Sequence, residues 1–229
     1  MKLLAIDSAC KSAGVALFEN ETLLYEVQLH QTFTHSETLL PLCVQALQMT
    51  HLSLTDLDAF AVNLGPGSFT GLRIGLAAVK GLCFSQQKPC IGVSTLEALA
   101  YHVPLEGSLL CALDARRNEV YYACFERKQG IVQRISTDSS DVCTNLIDIA
   151  ARLPQPLFLV GDGAHLVYDA IHAHVPCQIP AQPFQLSGAV GVGLCALEHR
   201  QEAVSSTLLS PAYLRLSQAE RERLQRSCL

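Results

Sequence analysis

Charge is what this sequence has least of for its size. Lys, Arg, Asp and Glu make up 16% of the 229 residues, against about 25% in a typical soluble protein. The net charge is −5, and the mean hydropathy is positive. So few charged residues cannot cover the whole surface of an isolated globular protein. We therefore expect the protein to associate with another chain.

A basic patch is also missing. Lys and Arg are scattered until the tail from Arg215 to Arg226, where Glu220 and Glu222 interleave with them. Because a protein grips a nucleic-acid backbone through clustered positive charge, we do not expect independent binding of nucleic acid. The mixed charges of the tail are typical of a solvated helix.

Closely spaced cysteines and long apolar runs are absent as well. The closest two of the ten cysteines, Cys83 and Cys90, lie seven residues apart. Most cysteines sit in apolar segments, where a free thiol behaves as a small hydrophobic group, and this favours a reduced compartment. No uncharged apolar run reaches the length of a membrane span. We therefore predict a cytoplasmic protein that does not contact a membrane.

The common catalytic motifs are missing too. No two of the eight histidines are four residues apart, so the sequence has no H-x-x-x-H metal pair. It has no G-x-S-x-G elbow, and its most prominent glycine turn lacks the G-K-[ST] ending of a P-loop. We therefore predict no catalytic residue and no metal site.

That glycine turn is the most informative feature present. The sequence G-P-G-S-F-T-G-L-R-I-G (residues 65–75) follows an apolar strand and opens a helix that runs to Gln86. Ser68 is placed to cap the helix N-terminus. Only Arg73 and Lys80 are ionised between residues 65 and 86, and a helix apolar on nearly every side must be covered by something.

The chain also has two halves that begin alike. Periodicity and turn residues predict the order βββαβαβα in the first half and βββαβα in the second. We expect lobes over residues 1–103 and 104–229, the second shortened, with proline-containing loops after its last matched helix and a C-terminal tail. The first strand of each half ends in an aspartate, Asp7 and Asp114, and a glycine turn recurs at Gly161 to Gly163.

This duplicated α/β order resembles the actin-like and sugar-kinase-like ATPase superfamily. The alternative is an unrelated α/β fold, because similar short strand sequences also arise by chance. The resemblance implies that the two aspartates face each other across a cleft whose turns hold phosphate and metal. We assign a vestigial cleft of this kind to Asp7, Ser8, Asp114, Arg116, Gly161 and Gly163. ATP turnover, a weak nucleotide site and a purely structural role for the aspartates stay open. Arg116 and Arg117 either steer a phosphate or partner carboxylate or are solvated turn residues.

Two helices of the first lobe are more apolar than their own sheet requires. Apolar residues fill an arc of roughly 220° around the helix over residues 36–51, where a stripe of about 100° suffices. The helix after Ser68 has one large apolar face and one face of small residues. We predict a partner interface that forms a four-helix bundle with another chain, made of Leu39, Leu42, Cys43, Ala46, Leu47, Met49, Ser68, Gly71, Leu72, Arg73, Gly75, Leu76, Val79 and Cys83. The alternative is that the second lobe or C-terminal segments cover these faces.

Seven blocks, in order along the whole chain, carry a closer resemblance. They are L-L-A-I-D-S near the start, H-S-E-T-L-L-P from His35, the glycine turn, G-V-S-T-L-E-A-L-A from Gly92, A-L-D-A-R-R-N-E-V-Y from Ala112, G-D-G-A from Gly161 and P-A-Y-L-R from Pro211. Together they resemble the bacterial TsaB family, also called YeaZ.

The TsaB resemblance implies a role in making threonylcarbamoyladenosine beside the tRNA anticodon. It implies a non-catalytic partner that holds and activates TsaD, with TsaE as a third component and only indirect contact with tRNA. The predicted helix interface itself implies a homodimer when TsaD is absent, because a surface built for a paralogue can also meet its own copy. The resemblance implies that the chain has no cofactor of its own, with a weak or interface-bound ATP or ADP with Mg²⁺ left open. A glycoprotease-like peptidase and a small-molecule kinase using Asp7 and Asp114 are the rival functions.

Overall fold

The computed structural model describes residues 1–30 and 34–215. The first half follows the predicted order βββαβαβα. Its elements are β1 (Lys2–Asp7), β2 (Ala13–Glu19), β3 (Thr22–Leu29), α1 (His35–Met49), β4 (Ala59–Gly65), α2 (Phe69–Gln86), β5 (Cys90–Ser94) and α3 (Thr95–His102).

The second half contains the predicted βββαβα order with one extra strand and one extra helix. Its elements are β6 (Gly107–Arg116), β7 (Glu119–Lys128), β8 (Ile131–Arg134), β9 (Ser139–Val142), α4 (Leu146–Ala151), β10 (Leu157–Val160), α5 (Ala164–Ile171) and α6 (Ala189–Glu198). Strand β9 and helix α6 are the additions that the sequence pattern did not predict. The tail after Arg215, predicted as a solvated helix, lies outside the described residues.

The two sheets share one topology, which confirms the predicted duplication. The first has the order β3-β2-β1-β4-β5 and the second the order β10-β6-β7-β8, with β9 also paired to β7. Strand β1 pairs antiparallel with β2 and parallel with β4, and β6 likewise pairs antiparallel with β7 and parallel with β10. In the described part of the second lobe, the position of β5 is taken only by a single bridge between Phe158 and Gln178. The second lobe is therefore the shorter one, as predicted.

Strand β1 shows why the first sheet is buried on both faces. Its residues Leu3 to Ile6 are all fully buried. Because successive side chains of a strand point to opposite faces, Leu4 and Ile6 pack with α1 and α2, while Leu3 and Ala5 pack with α6. A continuous apolar run of this kind is typical of a strand covered by helices on both sides.

The helices form three layers around the two sheets. Helices α1 and α2 cover one face of the first sheet, and α3 and α6 cover the other. Helix α3 also packs on the second sheet, whose far face is covered by α4 and α5. Among the residues that the structure describes, none of the helices is both long enough and apolar enough to cross a membrane.

Helix α6 corrects the predicted division of the chain. It comes from the second half but packs on the first sheet, so the described part of residues 104–229 contributes to both lobes. A Cβ on Gly193 would come within 2.2 Å of the Phe18 ring, and one on Gly191 within 2.1 Å of the Ala98 carbonyl oxygen. The glycines that weaken the local helix signal are therefore what let α6 approach the sheet and α3 closely.

All nine cysteines among the described residues are free thiols, as the spacing predicted. Seven of the nine are buried in the apolar layers. They therefore serve as small core side chains rather than as a disulfide framework.

Candidate functional site

Helix α1 buries the middle of its apolar arc and leaves both edges exposed. Leu39, Leu42, Cys43, Ala46 and Leu47 pack in the core between α1, α2 and the first sheet. Leu40, Val44 and Met49, from the same arc, are 49%, 53% and 64% exposed. The predicted surplus of apolar surface on this helix is therefore present in the structure.

Two of the small residues of α2, Gly71 and Gly75, pack inside the chain rather than on the surface. A Cβ on Gly71 would lie 2.1 Å from the Ser8 carbonyl oxygen, and one on Gly75 would lie 2.2 Å from Ser8 Oγ. The hydroxyl of Ser8 donates a hydrogen bond to the Gly71 carbonyl at 2.9 Å. These glycines let α2 pack against the end of β1. They do not form a seam for a second chain.

The predicted list of interface residues needs correction. Eleven of its fourteen members are buried in the first lobe: Leu39, Leu42, Cys43, Ala46, Leu47, Gly71, Leu72, Gly75, Leu76, Val79 and Cys83. A helical wheel gives the width of an apolar arc but does not show which part of the arc faces the sheet. Met49, Ser68 and Arg73 remain exposed.

The exposed residues define a different surface, which we call the outer face. It comprises Leu40 and Val44 of α1 and Ala77, Gly81 and Phe84 of α2, with Ile74 half-buried beside them. Met49 lies about 140° around α1 from Val44, at the other edge of the apolar arc, and is not part of this face. Phe84 is 82% exposed. The two helices are packed side by side, so these residues form a candidate docking surface of low polarity.

Ser68 and Arg73 have roles within the chain. Ser68 is the N-cap of α2, and its Oγ accepts a hydrogen bond from the Gly71 N–H at 3.2 Å, which confirms the capping prediction. Nε of Arg73 donates to the hydroxyl of Tyr213 at 2.8 Å. The guanidinium of Arg73 lies 5.6 Å from the centre of the Tyr213 ring.

The segment after Leu209 ties the lobes together. The Ala212 N–H donates to the Leu64 carbonyl in the first lobe at 2.8 Å. In the second lobe, Arg215 pairs with Glu119 at 2.7 Å and donates to the Ala115 carbonyl at 3.2 Å. The P-A-Y-L-R block is therefore an interlobe strap, a role that the sequence alone did not reveal.

Asp7 is fully buried and fully engaged within the chain. Its Oδ1 accepts hydrogen bonds from the Ala9 N–H at 3.0 Å and from Nδ2 of Asn63 at 2.6 Å, while the hydroxyl of Ser187 donates to Oδ2. Burial raises the pKa of Asp7, although the bonds from Ser187, Ala9 and Asn63 oppose that shift. Both carboxylate oxygens are therefore occupied by the protein itself.

Asp114 lies at the matching place in the second lobe but in a more open setting. Its Oδ1 accepts the Arg116 N–H at 2.7 Å, and its Oδ2 lies 3.7 Å from the Arg116 guanidinium, whose side chain is 77% exposed. The neighbouring Asp162 accepts the Asp114 N–H at 3.0 Å. Burial raises the pKa of Asp162, and the negative charge of Asp114 adds to the effect.

Each glycine turn is held by a backbone hydrogen bond to the first strand of its lobe or to the residues just after it. In the first lobe the Ser68 N–H donates to the Ala9 carbonyl at 2.7 Å. In the second, the Gly163 N–H donates to the Ala112 carbonyl at 3.0 Å, and Gly161 has a φ of +110°. Because these N–H groups already have partners, neither is free to cradle a phosphate in this conformation.

One group of potential ligands escaped the sequence analysis. Glu97 of α3 meets Cys195 and His199 of the α6 end, and a ligand atom of each lies within 4.8 Å of the others. The signal in the sequence was the C-x-x-x-H spacing, because residues four apart share one helical face.

The chain matches known proteins along its length. The family model described as "TsaD: tRNA N6-adenosine threonylcarbamoyltransferase" matches residues 24–190. The tRNA threonylcarbamoyladenosine biosynthesis protein TsaB of Bacillus subtilis is 28% identical over 230 residues, which is 96% of each chain. Escherichia coli TsaB is 39% identical over 132 residues, which is 56% of this chain and only 57% of that protein. The solved structure of YeaZ from Pseudomonas aeruginosa superposes with a TM-score of 0.78 at 28% identity, covering 93% of this chain and 99% of that one.

Two sheets of one topology, each with an aspartate near the end of its first strand and a glycine turn after the strand that runs parallel to it, define the actin-like and sugar-kinase-like ATPase fold. The superfamily alone says little about function, because one fold hosts many different functions. The chain belongs to the TsaB family, also called YeaZ, within the wider family that the TsaD model describes.

Proposed function

We propose that this chain acts in tRNA threonylcarbamoyladenosine biosynthesis as a non-catalytic subunit that binds and supports TsaD. The names of its relatives supply the pathway. The match to the TsaD model supports the choice of partner, because it makes TsaD a paralogue with equivalent helices to offer.

The observation that carries the proposal is the outer face of α1 and α2. Leu40, Val44 and Phe84 each expose between 49% and 82% of their surface on two adjacent helices. Two helices from TsaD laid against them would bury these side chains in a four-helix bundle. A surface built for a paralogue also fits a second copy, so a homodimer forms when TsaD is absent.

The state of the cleft supports the non-catalytic part of the proposal. A carboxylate that orders Mg²⁺ needs free oxygens, and those of Asp7 accept three internal hydrogen bonds. Burial and the charges of Asp162 and Asp7 raise the pKa of the neighbouring Cys10 thiol, which therefore stays a poor nucleophile. In this proposal TsaD performs the transfer, TsaE joins as a third component, and tRNA contacts this chain only indirectly.

Reconstitution of tRNA modification from purified components, with and without this chain, tests the pathway assignment. We expect modification to require the chain and to fail with Val44→Glu, which also abolishes co-purification with TsaD. Ile131→Glu is the matched control, because Ile131 is a 71% exposed apolar residue of the second lobe. Wild-type stoichiometry between Val44→Glu and TsaD would show that the outer face is not the interface.

Binding calorimetry with ATP and Mg²⁺ separates this function from the kinase alternative. A small-molecule kinase binds nucleotide on its own, whereas this subunit is expected to bind it weakly or only together with TsaD. The peptidase alternative is tested by a proteolysis assay on the same purified chain. Proteolysis by the isolated chain would contradict a supporting role.

A further inference from the structure

Three metal-binding side chains from two helices meet between α3 and α6. Glu97 lies in the first turn of α3, and Cys195 and His199 lie one turn apart at the end of α6, with a ligand atom of each within 4.8 Å of the others. The Cys195 side chain is fully buried, whereas the side chains of Glu97 and His199 are 16% and 33% exposed. A cation between them would have three protein ligands and one side toward solvent.

Further hydrogen bonds orient the ligands. Nε2 of His199 lies 3.0 Å from Oε1 of Glu97, and Nδ1 of the same ring lies 3.0 Å from Oε1 of Glu202. Metal-binding histidines almost always use their second nitrogen in such a bond, often to a carboxylate. Two oxygen or nitrogen ligands of a tetrahedral zinc ion are about 3.3 Å apart, close to the separation of Nε2 and Oε1.

The other oxygen of Glu97 is also held. Its Oε2 accepts a hydrogen bond from Nη2 of Arg134 at 2.7 Å, and Nη1 of Arg134 pairs with Asp138 at 2.6 Å. The charge of Arg134 is therefore balanced by Asp138 and does not by itself repel a cation. Because Arg134 holds Oε2, the oxygen of Glu97 that faces the two α6 ligands is Oε1.

We propose that Glu97, Cys195 and His199 bind a zinc ion that fastens α6 to α3. Thiolate, imidazole and carboxylate are donors that zinc takes, and three protein ligands with water in the fourth position is an arrangement it adopts. Binding releases two protons to solvent, one from the Cys195 thiol and one from the bridge between His199 and Glu97. Exchange of two protons for a divalent ion leaves the charge of the group unchanged, so binding adds no uncompensated charge to this half-buried place.

The position of this group gives the ion a structural purpose. Helix α6 is the element that returns from the second half of the chain to cover the first sheet. Arg134 belongs to β8 of the second sheet, so the same group connects α6, α3 and both lobes. The ion is thus a clamp on the crossing helix, independent of the outer face and of the proposed function.

Cobalt titration of the reduced, chelator-treated full chain tests the site. We expect one Co²⁺ per chain with a thiolate-to-cobalt charge-transfer band, and displacement of that band by Zn²⁺. Cys195→Ser removes the band, and His199→Gln weakens binding at least about tenfold. Glu202→Gln, which removes only the orienting carboxylate, weakens binding about tenfold to a hundredfold.

Two other cysteines provide matched controls. Cys111 is a fully buried thiol and Cys177 a partly exposed one, and neither belongs to the group. Cys111→Ser and Cys177→Ser keep the band and the stoichiometry. Circular dichroism shows whether Cys195→Ser folds. If it does not, His199→Gln provides the test instead, because His199 is partly exposed and its substitution is better tolerated.

Two results would overturn the proposal. An unchanged band in both Cys195→Ser and His199→Gln would place the metal on other thiols. A wild-type chain that shows no thiolate band up to millimolar Co²⁺ would leave Glu97, His199 and Arg134 as an ion-pair network alone.

Discussion

Tyr213 stacks on Phe69, with ring centroids 4.4 Å apart and ring planes 17° from parallel. Phe69 is the first residue of α2, whereas Tyr213 lies in the interlobe strap near the end of the described chain. The hydroxyl of Tyr213 also accepts the hydrogen bond from Arg73. One aromatic contact therefore anchors the strap on the helix that carries half of the outer face.

Removing the tyrosine ring should cost more stability than removing its hydroxyl. We expect Tyr213→Phe to lower the free energy of unfolding by about 1 kcal/mol, the usual loss for one hydrogen bond. Tyr213→Ala also loses the stack and its buried area, for a total of about 2 to 3 kcal/mol. Urea denaturation measures both variants, and equal losses would show that the stack contributes nothing.

The buried carboxyl of Asp7 should make stability depend on pH. Its folded pKa is raised above the ordinary 3.8, so the folded state holds its proton to higher pH than the unfolded state does. The contribution of Asp7 to stability is therefore complete below pH 3.8 and is lost as pH rises through the folded pKa.

Asp7→Asn tests this dependence, because an amide does not titrate and can still bond to Asn63, Ala9 and Ser187. We expect Asp7→Asn to gain stability relative to wild type as pH rises from 4 to 7, measured by urea unfolding at several pH values. A difference between the two proteins that stays constant across this range would contradict a raised pKa.

Two apolar-to-glutamate substitutions on adjacent helices should behave oppositely. Leu72 is 1% exposed, so Leu72→Glu buries an unpaired charge and is expected to cost more than about 4 kcal/mol and unfold the first lobe. Val44 is 53% exposed, so Val44→Glu should change stability by no more than about 0.5 kcal/mol. Thermal unfolding by circular dichroism compares them, with light scattering to show whether Val44→Glu also prevents homodimer formation. A folded Leu72→Glu would place that residue on the surface after all.

Two glycine-to-alanine substitutions should differ in sign. Gly161 has a φ of +110°, and an added Cβ would lie 2.0 Å from the Ala112 carbonyl oxygen, so Gly161→Ala should destabilise by about 2 kcal/mol or more. Gly81 lies in α2 with nothing within 4 Å of an added Cβ, so Gly81→Ala should stabilise by about 0.5 to 1 kcal/mol. Denaturant midpoints give both values, and a neutral Gly161→Ala would mean that the turn relaxes freely.

The elements that local pattern specifies were predicted well. Helix α2 ends at Gln86 as expected, Ser68 caps it, and β4 runs directly into the glycine turn. The repeated βββαβα order is also local, since it depends on the periodicity of each segment in turn. Helix α6 was missed because its two glycines resemble a loop until Phe18 and Ala98 are placed beside them.

The candidate surfaces were predicted only in outline. The sequence showed that α1 carries too much apolar surface, but not that Leu39 faces the sheet while Leu40 faces outward. The sequence marked Asp7 and Asp114 as a pair. It did not show that Ser187, 180 residues away, donates a hydrogen bond to the Asp7 carboxylate. It contained the C-x-x-x-H spacing, but not the Glu97 that completes the group.

By itself, the sequence determined the order of helices and strands, the duplication, the free thiols and the excess of apolar helix surface. These properties follow from composition and from interactions between residues a few positions apart. Only the tertiary structure decided which part of an apolar arc is exposed and which helix covers which strand. It also decided whether the oxygens of a carboxylate are hydrogen-bonded within the chain. Those outcomes depend on contacts between segments far apart in the chain, such as Asp7 with Ser187 and Phe69 with Tyr213, and no local periodicity encodes them.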